Sequence, residues 1–257
     1  MIPILYEDDS YIAIDKPAGL IVNDSSTTKG ETVQSWSREY LHLPLVSSDQ
    51  KSAEIPLLDG TYDYEAMYLQ RAGIVHRLDK ETSGVLLIGK NPQSFQILQN
   101  QFRDRKTHKL YLALVHGQVE PSQGEIDAPT GRLPWNRTHF GVIPGGREAK
   151  TTYTTKAQYL LEGEKQIQQY SYLEVMPKTG RTHQIRVHMK HINHPVVGDM
   201  LYAGRKNCLF VRKYLDRMFL HAHKLDFFHP ASGEETSISS PLPDKLQAFL
   251  DTCSKIG

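Results

Sequence analysis

Residues 73–90 read GIVHRLDKETSGVLLIGK. An apolar run, Gly73-Ile74-Val75, leads into four ionisable side chains within five positions: His76, Arg77, Asp79 and Lys80. Glu81-Thr82-Ser83-Gly84 follows, and then a second apolar run from Val85 to Ile88. Short aliphatic runs bounded by turn-forming polar residues predict strand, polar loop, strand. Directly after them, Asn91-Pro92 predicts a helix start, with asparagine at the N-cap and proline at the first helical position. Phe95, Leu98 and Phe102 give that helix one apolar face.

Upstream, residues 2–6 (IPILY) and 11–16 (YIAIDK) flank a polar Glu-Asp-Asp-Ser, as the strands of a hairpin would. Lys16-Pro17-Ala18-Gly19 ends the second strand, since proline donates no ladder hydrogen bond and glycine permits a turn. Glu31 to Leu41 has helical spacing through Val33, Trp36 and Tyr40, and residues 44–70 read as a long loop. Downstream, HKLYLALVHG (108–117) is a strand in which Leu110, Leu112 and Leu114 alternate with Tyr111, Ala113 and Val115, so both faces are covered. Residues 131–149, rich in Gly, Pro and Arg, resemble an exposed insertion. Strands are predicted at about 151–160, 170–177 and 219–228. A helix capped by Thr182 runs through Asn193 with Ile185, Met189 and Ile192 on its buried side, and a last helix covers 244–253. Repeated strand-turn-strand connections favour an α+β fold over a strictly alternating parallel sheet. The pattern shows no internal repeat or linker, so a single domain over 1–257 is expected.

Composition narrows the function classes. No window approaches 18 consecutive apolar residues, and the N-terminus lacks a basic region followed by an apolar stretch, so neither a membrane span nor a signal peptide is predicted. The two cysteines, Cys208 and Cys253, have no metal-ligand spacing and fit a reducing compartment, the cytoplasm. The net charge of +1 announces no polyanion partner, but the basic residues cluster. Residues 103–109 read RDRKTHK, 178–191 read KTGRTHQIRVHMKH, and 205–217 hold five Lys and Arg. Together they point to an anionic partner.

Asp79 emerges from an apolar strand into a basic loop. It is poised either as a nucleophile or as half of a structural ion pair, and the residues alone leave both open. Arg186, projecting from the 182–193 helix, suits a carboxylate or phosphate because guanidinium is always charged and binds with two parallel hydrogen bonds. The histidines at 183, 188, 191, 194, 221 and 223 do not form the helical zinc pattern, and no metal is expected. Phosphate-cradling GxxxxGK[ST], GxGxxG and the nucleophile elbow GxSxG are all absent.

Taken in order, SYIAIDKPAGLIV (10–22), HRLDKETSGVLL (76–87), HKLYLALVHG (108–117), KTGRTHQIRVHMKHINHPVVGDMLY (178–202) and LHAHKLDFFHPASG (220–233) resemble the motifs of the RluA-type RNA pseudouridine synthases. The resemblance implies a pseudouridine-synthase-like sheet, mixed or antiparallel, flanked by helices and loops around a catalytic cleft. It also implies isomerisation of uridine to pseudouridine in structured tRNA or large-subunit rRNA, without cofactor or metal; a monomer is the default expectation. It makes Asp79, Tyr111 and Arg186 the catalytic set: Asp79 attacking ribose or abstracting its 2′ proton, Arg186 pairing with that carboxylate, Tyr111 stacking on the base. Arg77, Ile185, Lys16, Arg181 and His76 would contact substrate or RNA. The motifs begin within the first residues, so no N-terminal accessory RNA-binding domain is expected, and 131–149 and 205–217 become candidates for gripping RNA. A catalytically idle RNA-binding protein on the same scaffold is the rival reading.

Overall fold

The computed structural model describes residues 2–25, 28–46, 62–163 and 167–256. In chain order they form β1 (Ile4–Glu7), β2 (Tyr11–Lys16), α1 (Val33–Tyr40), α2 (Tyr64–Arg71), β3 (Ser83–Gly89) and α3 (Pro92–Arg103). Next come β4 (His108–His116), β5 (Gln123–Asp127), β6 (Thr130–Leu133), β7 (Asn136–Val142), β8 (Lys150–Glu162) and β9 (Ile167–Pro177). The chain continues through α4 (Gln184–His191), α5 (Arg205–Val211), β10 (Leu220–Phe228), β11 (Glu235–Ser239), α6 (Asp244–Asp251) and β12 (Ser254–Ile256). This is an α+β fold. The chain divides into two compact units, Met1–Thr107 with Lys224–Ser240, and His108–His223 with Pro241–Gly257.

In the first unit β1, β2 and β3 pair antiparallel. The turn between β1 and β2 closes because Asp8 Oδ1 accepts the amides of Ser10 (2.7 Å) and Tyr11 (3.0 Å). Every residue of β3 is buried. Its last residue, Gly89, passes so close to α3 that a Cβ there would lie 2.8 Å from the Phe95 backbone, so only glycine fits. α3 starts as predicted: Asn91 caps it by accepting the Ser94 amide at 2.9 Å, and Phe95 and Leu98 are fully buried beneath it. The strand predicted before the 76–82 loop is reduced to one bridge, Ile74 with Ile88.

The expected long loop over 44–70 is corrected at its end, where α2 runs from Tyr64 to Arg71; positions 47–61 of that prediction lie outside the described residues. Asp63 caps α2 through the Ala66 amide, and Met67 and Tyr68 bury into the unit's core. At its C-terminal end, Gln34 Nε2 and Ser37 Oγ donate to the carbonyls of Gln70 and Ala72, both at 2.7 Å.

In the second unit, β4 pairs with β9, β9 with β8, and β8 carries β5 on one stretch and β12 on another, all antiparallel. Both faces of β4 are covered, as its sequence predicts. Ala113 and Val115 join a core with Leu173, Val175, Ile185 and Met189, while Leu114 packs among Tyr170, Phe219 and Phe249. α4 supplies Ile185 and Met189, but it begins at Gln184. Its N-cap is His183, in the left-handed region (φ 54°), not Thr182. Residues 131–149, expected to be an exposed insertion, contain most of an antiparallel hairpin, β6–β7. Among the described residues no helix is long and apolar enough to cross a membrane.

Candidate functional site

Asp79 sits half-buried in the loop leading to β3. Its carbonyl accepts the Thr82 amide at 3.1 Å, and Leu78 beside it is 4% exposed, anchoring the loop in the core. One residue on, the Lys80 carbonyl is held twice, by the Gly19 amide at 2.8 Å and by Lys16 Nζ at 3.1 Å. Lys16 is fully buried at the end of β2, and its ammonium also donates to Pro17 O (2.7 Å) and Leu20 O (2.9 Å). Burying a charge is costly unless it is bonded on all sides; three carbonyls offset that cost here. The ammonium thereby fastens the turn after β2 to the Asp79 loop.

That placement gives Lys16 a task other than the expected RNA contact, because a fully buried ammonium presents no surface to a phosphate. His76 is also built into the unit: Nε2 accepts the Leu87 amide at 3.0 Å, and the ring stacks on Phe102 with centroids 4.3 Å apart. Arg77 and Lys80 are exposed on either side of Asp79.

The second unit holds Tyr111, Arg181, Ile185 and Arg186. Tyr111 packs from β4 against the core cluster that includes Ile185, itself 6% exposed. Arg181 is tied down, its Nε donating to Glu148 O at 2.9 Å. Arg186 is 7% exposed, and its Nε and Nη2 donate to the two oxygens of Asp199 at 2.7 and 2.9 Å. Asp199 is 1% exposed and also accepts the amides of Leu201 and Tyr202 on Oδ1. The guanidinium lies 5.0 Å from the Tyr202 ring centroid, a cation–π contact. The two-point pairing with Asp199 fixes the orientation of Arg186.

α4, which carries Arg186, is positioned by Gln184. Its Oε1 accepts from Thr179 Oγ1 (2.6 Å) and the Arg181 amide (3.0 Å); its Nε2 donates to Lys150 O (2.9 Å) and Thr151 Oγ1 (3.0 Å). One turn on, buried His188 bonds Thr151 Oγ1 and the Ala128 carbonyl. Burial holds its pKa below the ordinary histidine value.

Asp199 and Tyr202 belong to the site although their roles were not singled out from sequence. Both stand within the HPVVGDMLY stretch, and the available signal was an acidic residue just after a glycine in a motif that carries the family resemblance. Among the described residues, no three His, Cys, Asp or Glu side chains converge as metal ligands would.

Comparison with known proteins gives one consistent result. Residues 10–191 match a family model described as RNA pseudouridylate synthase. A ribosomal large subunit pseudouridine synthase D of Xanthomonas campestris pv. campestris is 36% identical over 255 residues, covering 96% of this chain and 68% of that protein. An uncharacterized RNA pseudouridine synthase of Chloroflexus aurantiacus is 45% identical over 180 residues, covering 70% of this chain and 53% of that one. The chain thus spans roughly half to two thirds of the length of these relatives. Among solved structures, the human RNA Pseudouridylate Synthase Domain Containing 1 aligns with a TM-score of 0.69 at 23% identity, covering 100% of this chain and 89% of that one, a likeness of fold.

Proposed function

The chain belongs to the RNA pseudouridylate synthase family, and from that premise we propose that it converts uridine to pseudouridine in a structured RNA with Asp79 as the reacting carboxylate. The observation that carries this reading is the mounting of Asp79 inside the matched span. Its loop is pinned by a buried ammonium through Lys80 O, which fixes the backbone from which the carboxylate projects. Misplacing a reacting group by an ångström costs on the order of 100-fold in rate.

In this proposal Asp79 attacks ribose C1′, or removes the 2′ proton to form a glycal. Either route breaks the bond from C1′ to uracil N1. The base turns while held and carbon 5 bonds to C1′, either as the Asp79–C1′ ester bond breaks or as Asp79 returns the proton to C2′; the proton lost from carbon 5 balances the one gained at N1. Nothing is oxidised or reduced, and the reaction calls for no cofactor or metal. Arg186 serves as the charge partner of the carboxylate, oriented by Asp199. Tyr111 stacks on the base, with Ile185 beneath it, and handles the carbon-5 proton. Exposed Arg77 helps displace the target from its stack, which costs a few kcal/mol. Arg181 contacts RNA near the start of α4, while Lys16 and His76 support the loop between them. Large-subunit rRNA is the favoured substrate class, since the Xanthomonas relative carries that name; tRNA is the alternative. A monomer acting in the cytoplasm, with both compact units serving one catalytic domain, completes the reading.

The test uses RNA tritiated at uridine carbon 5, from cells lacking this protein. Wild-type protein should release tritium and leave new pseudouridines at a mappable site. Asp79→Asn should release none while binding RNA within a few-fold of wild type, because phosphate contacts dominate affinity. Tight binding by wild type without release from any RNA would overturn the reading in favour of an idle RNA binder.

A further inference from the structure

The β6–β7 hairpin has no part in the chemistry above, yet it is fastened to the arginine site. The Phe140 amide donates to Tyr202 Oη at 3.1 Å, and the Phe140 ring packs edge-on against His183. Tyr202 is the ring over which Arg186 lies, and its hydroxyl also bonds His183 Nδ1 at 2.9 Å. From Phe140 the hairpin runs outward to a two-residue tip, Pro134-Trp135, where Trp135 is 78% exposed. Trp135 stands five positions before Phe140, about 17 Å of extended chain at the usual strand rise.

A lone exposed aromatic needs no explanation by itself. Trp135 differs in how it is held and in the charge around it. At the hairpin's base, Thr130 and Arg147 exchange both backbone hydrogen bonds (2.9 and 2.8 Å), and near the tip Asn136 Oδ1 accepts from Thr138 Oγ1 at 2.7 Å. Residues 130–147 carry Arg132, Arg137, His139 and Arg147 and not one carboxylate. Arg132 and Arg147 are exposed, with Arg132 also lying 5.2 Å from the Phe140 ring. A cationic ribbon ending in a bare indole has the two components that grip single-stranded nucleic acid: charge for phosphates and a flat face for a base.

We infer that the hairpin is an RNA-docking arm in which Trp135 stacks on an unpaired base remote from the target uridine, while Arg132 on β6 and Arg147 at the base meet the intervening phosphates. The inference rests on the proposal that RNA is the substrate and adds to it a determinant of which RNA is chosen. An acidic protein surface would also answer the arginines, but it offers the indole no base to stack on.

The chain has two tryptophans, Trp36 and Trp135, so Trp36→Phe leaves Trp135 as the sole reporter. Emission of that protein should be quenched by a short single-stranded RNA oligonucleotide, and not by an abasic strand with the same phosphates or by polyglutamate. Trp135→Ala should weaken oligonucleotide binding roughly 5- to 150-fold, the range that corresponds to losing one base stack. The slope of affinity against salt should stay unchanged, since no charge is removed. Trp135→Phe should recover most of the loss. Arg132→Gln with Arg147→Gln should instead flatten the salt slope. Unquenched emission at saturating RNA, equal quenching by the abasic strand or polyglutamate, or tritium release by Trp135→Ala matching wild type at every RNA concentration would each overturn the arm. Quenching without tritium release from any RNA would support the arm and count against the synthase reading alone.

Discussion

Lys16 shows how a single buried cation is best explained by what it holds. Its three carbonyl partners come from the turn after β2 and from the Asp79 loop. Lys16→Met keeps most of the length of the side chain and removes the charge, leaving the Pro17 and Leu20 carbonyls without this donor and Lys80 O with the Gly19 amide alone. We expect a stability loss of about 3 kcal/mol or more and a fall in kcat, with RNA affinity and its salt slope near wild type. Denaturant unfolding, single-turnover kinetics and a salt titration separate this from a phosphate contact, whose loss would reduce the salt slope by about one. The same reasoning applies to Asp199, which orients Arg186 through two short bonds. Asp199→Asn retains the shape and loses the charge; kcat should fall sharply with KM little changed, because the RNA grip lies elsewhere. A rise in KM at constant kcat would assign Asp199 to binding instead. Sequence reading singled out Asp79 and Arg186 by residue type and took their roles from the family resemblance. The burial of Lys16 and the pairing of Asp199 with Arg186 were not legible, because burial and partners far along the chain leave no local trace.

The same contrast between local and distant information separates α3 from α4. Everything that starts α3 lies within four residues: Asn91 caps, Pro92 follows, Ser94 supplies the amide. That helix was legible. α4 has no side-chain cap, and its first residue is held by Gln184 reaching Lys150 and Thr151 on β8, more than thirty positions earlier. Reading Thr182 as the cap was a local answer to a tertiary question. α2 was hidden for a related reason: eight residues with two buried side chains form too short a periodic window, and much of the helix's support comes from α1. The hairpin β6–β7 escaped because its register carries a bulge at Arg132/Leu133, which breaks the alternation a strand pattern relies on. Two substitutions test the difference between the helix starts. Asn91→Ala should cost about 1 kcal/mol and leave tritium release unchanged. Gln184→Leu strands the partners of both ends of an amide, so it should cost about 3 kcal/mol or more and depress kcat by displacing Arg186. Thermal unfolding and the release assay read both; equal effects of the two variants on activity would contradict the positioning role of Gln184.

Across the whole molecule, acid sensitivity is expected to have its source in the second unit. His116, at the end of β4, is 7% exposed and packs edge-on to Tyr170, with ring centroids 5.4 Å apart. Burial lowers its pKa from 6.5 to about 4, a shift that the Gln168 side chain only partly opposes. His188 is shifted the same way by burial. A lowered histidine pKa means that the folded state refuses a proton the unfolded chain accepts. Above pH 6.5 both states are neutral, and the contribution to stability is fully present. As pH falls below 6.5 the unfolded chain protonates first, and stability declines until the folded ring titrates near pH 4. For His116 alone that decline amounts to about 3 kcal/mol. Glu7, Asp8 and Asp216, whose pKa values are lowered by their hydrogen-bond partners, begin to lose their contributions only as pH falls through their ordinary values of 4.5, 3.8 and 3.8. Most of the histidine window therefore lies above theirs. Denaturant unfolding of the protein, followed by far-UV circular dichroism at a series of pH values, is the measurement. The unfolding free energy should fall steadily between pH 6.5 and about 4. His116→Leu should remove most of that slope while leaving the smaller share due to His188. A slope unaltered by His116→Leu would place the acid-sensitive group elsewhere and return His116 to the role of an ordinary packed ring.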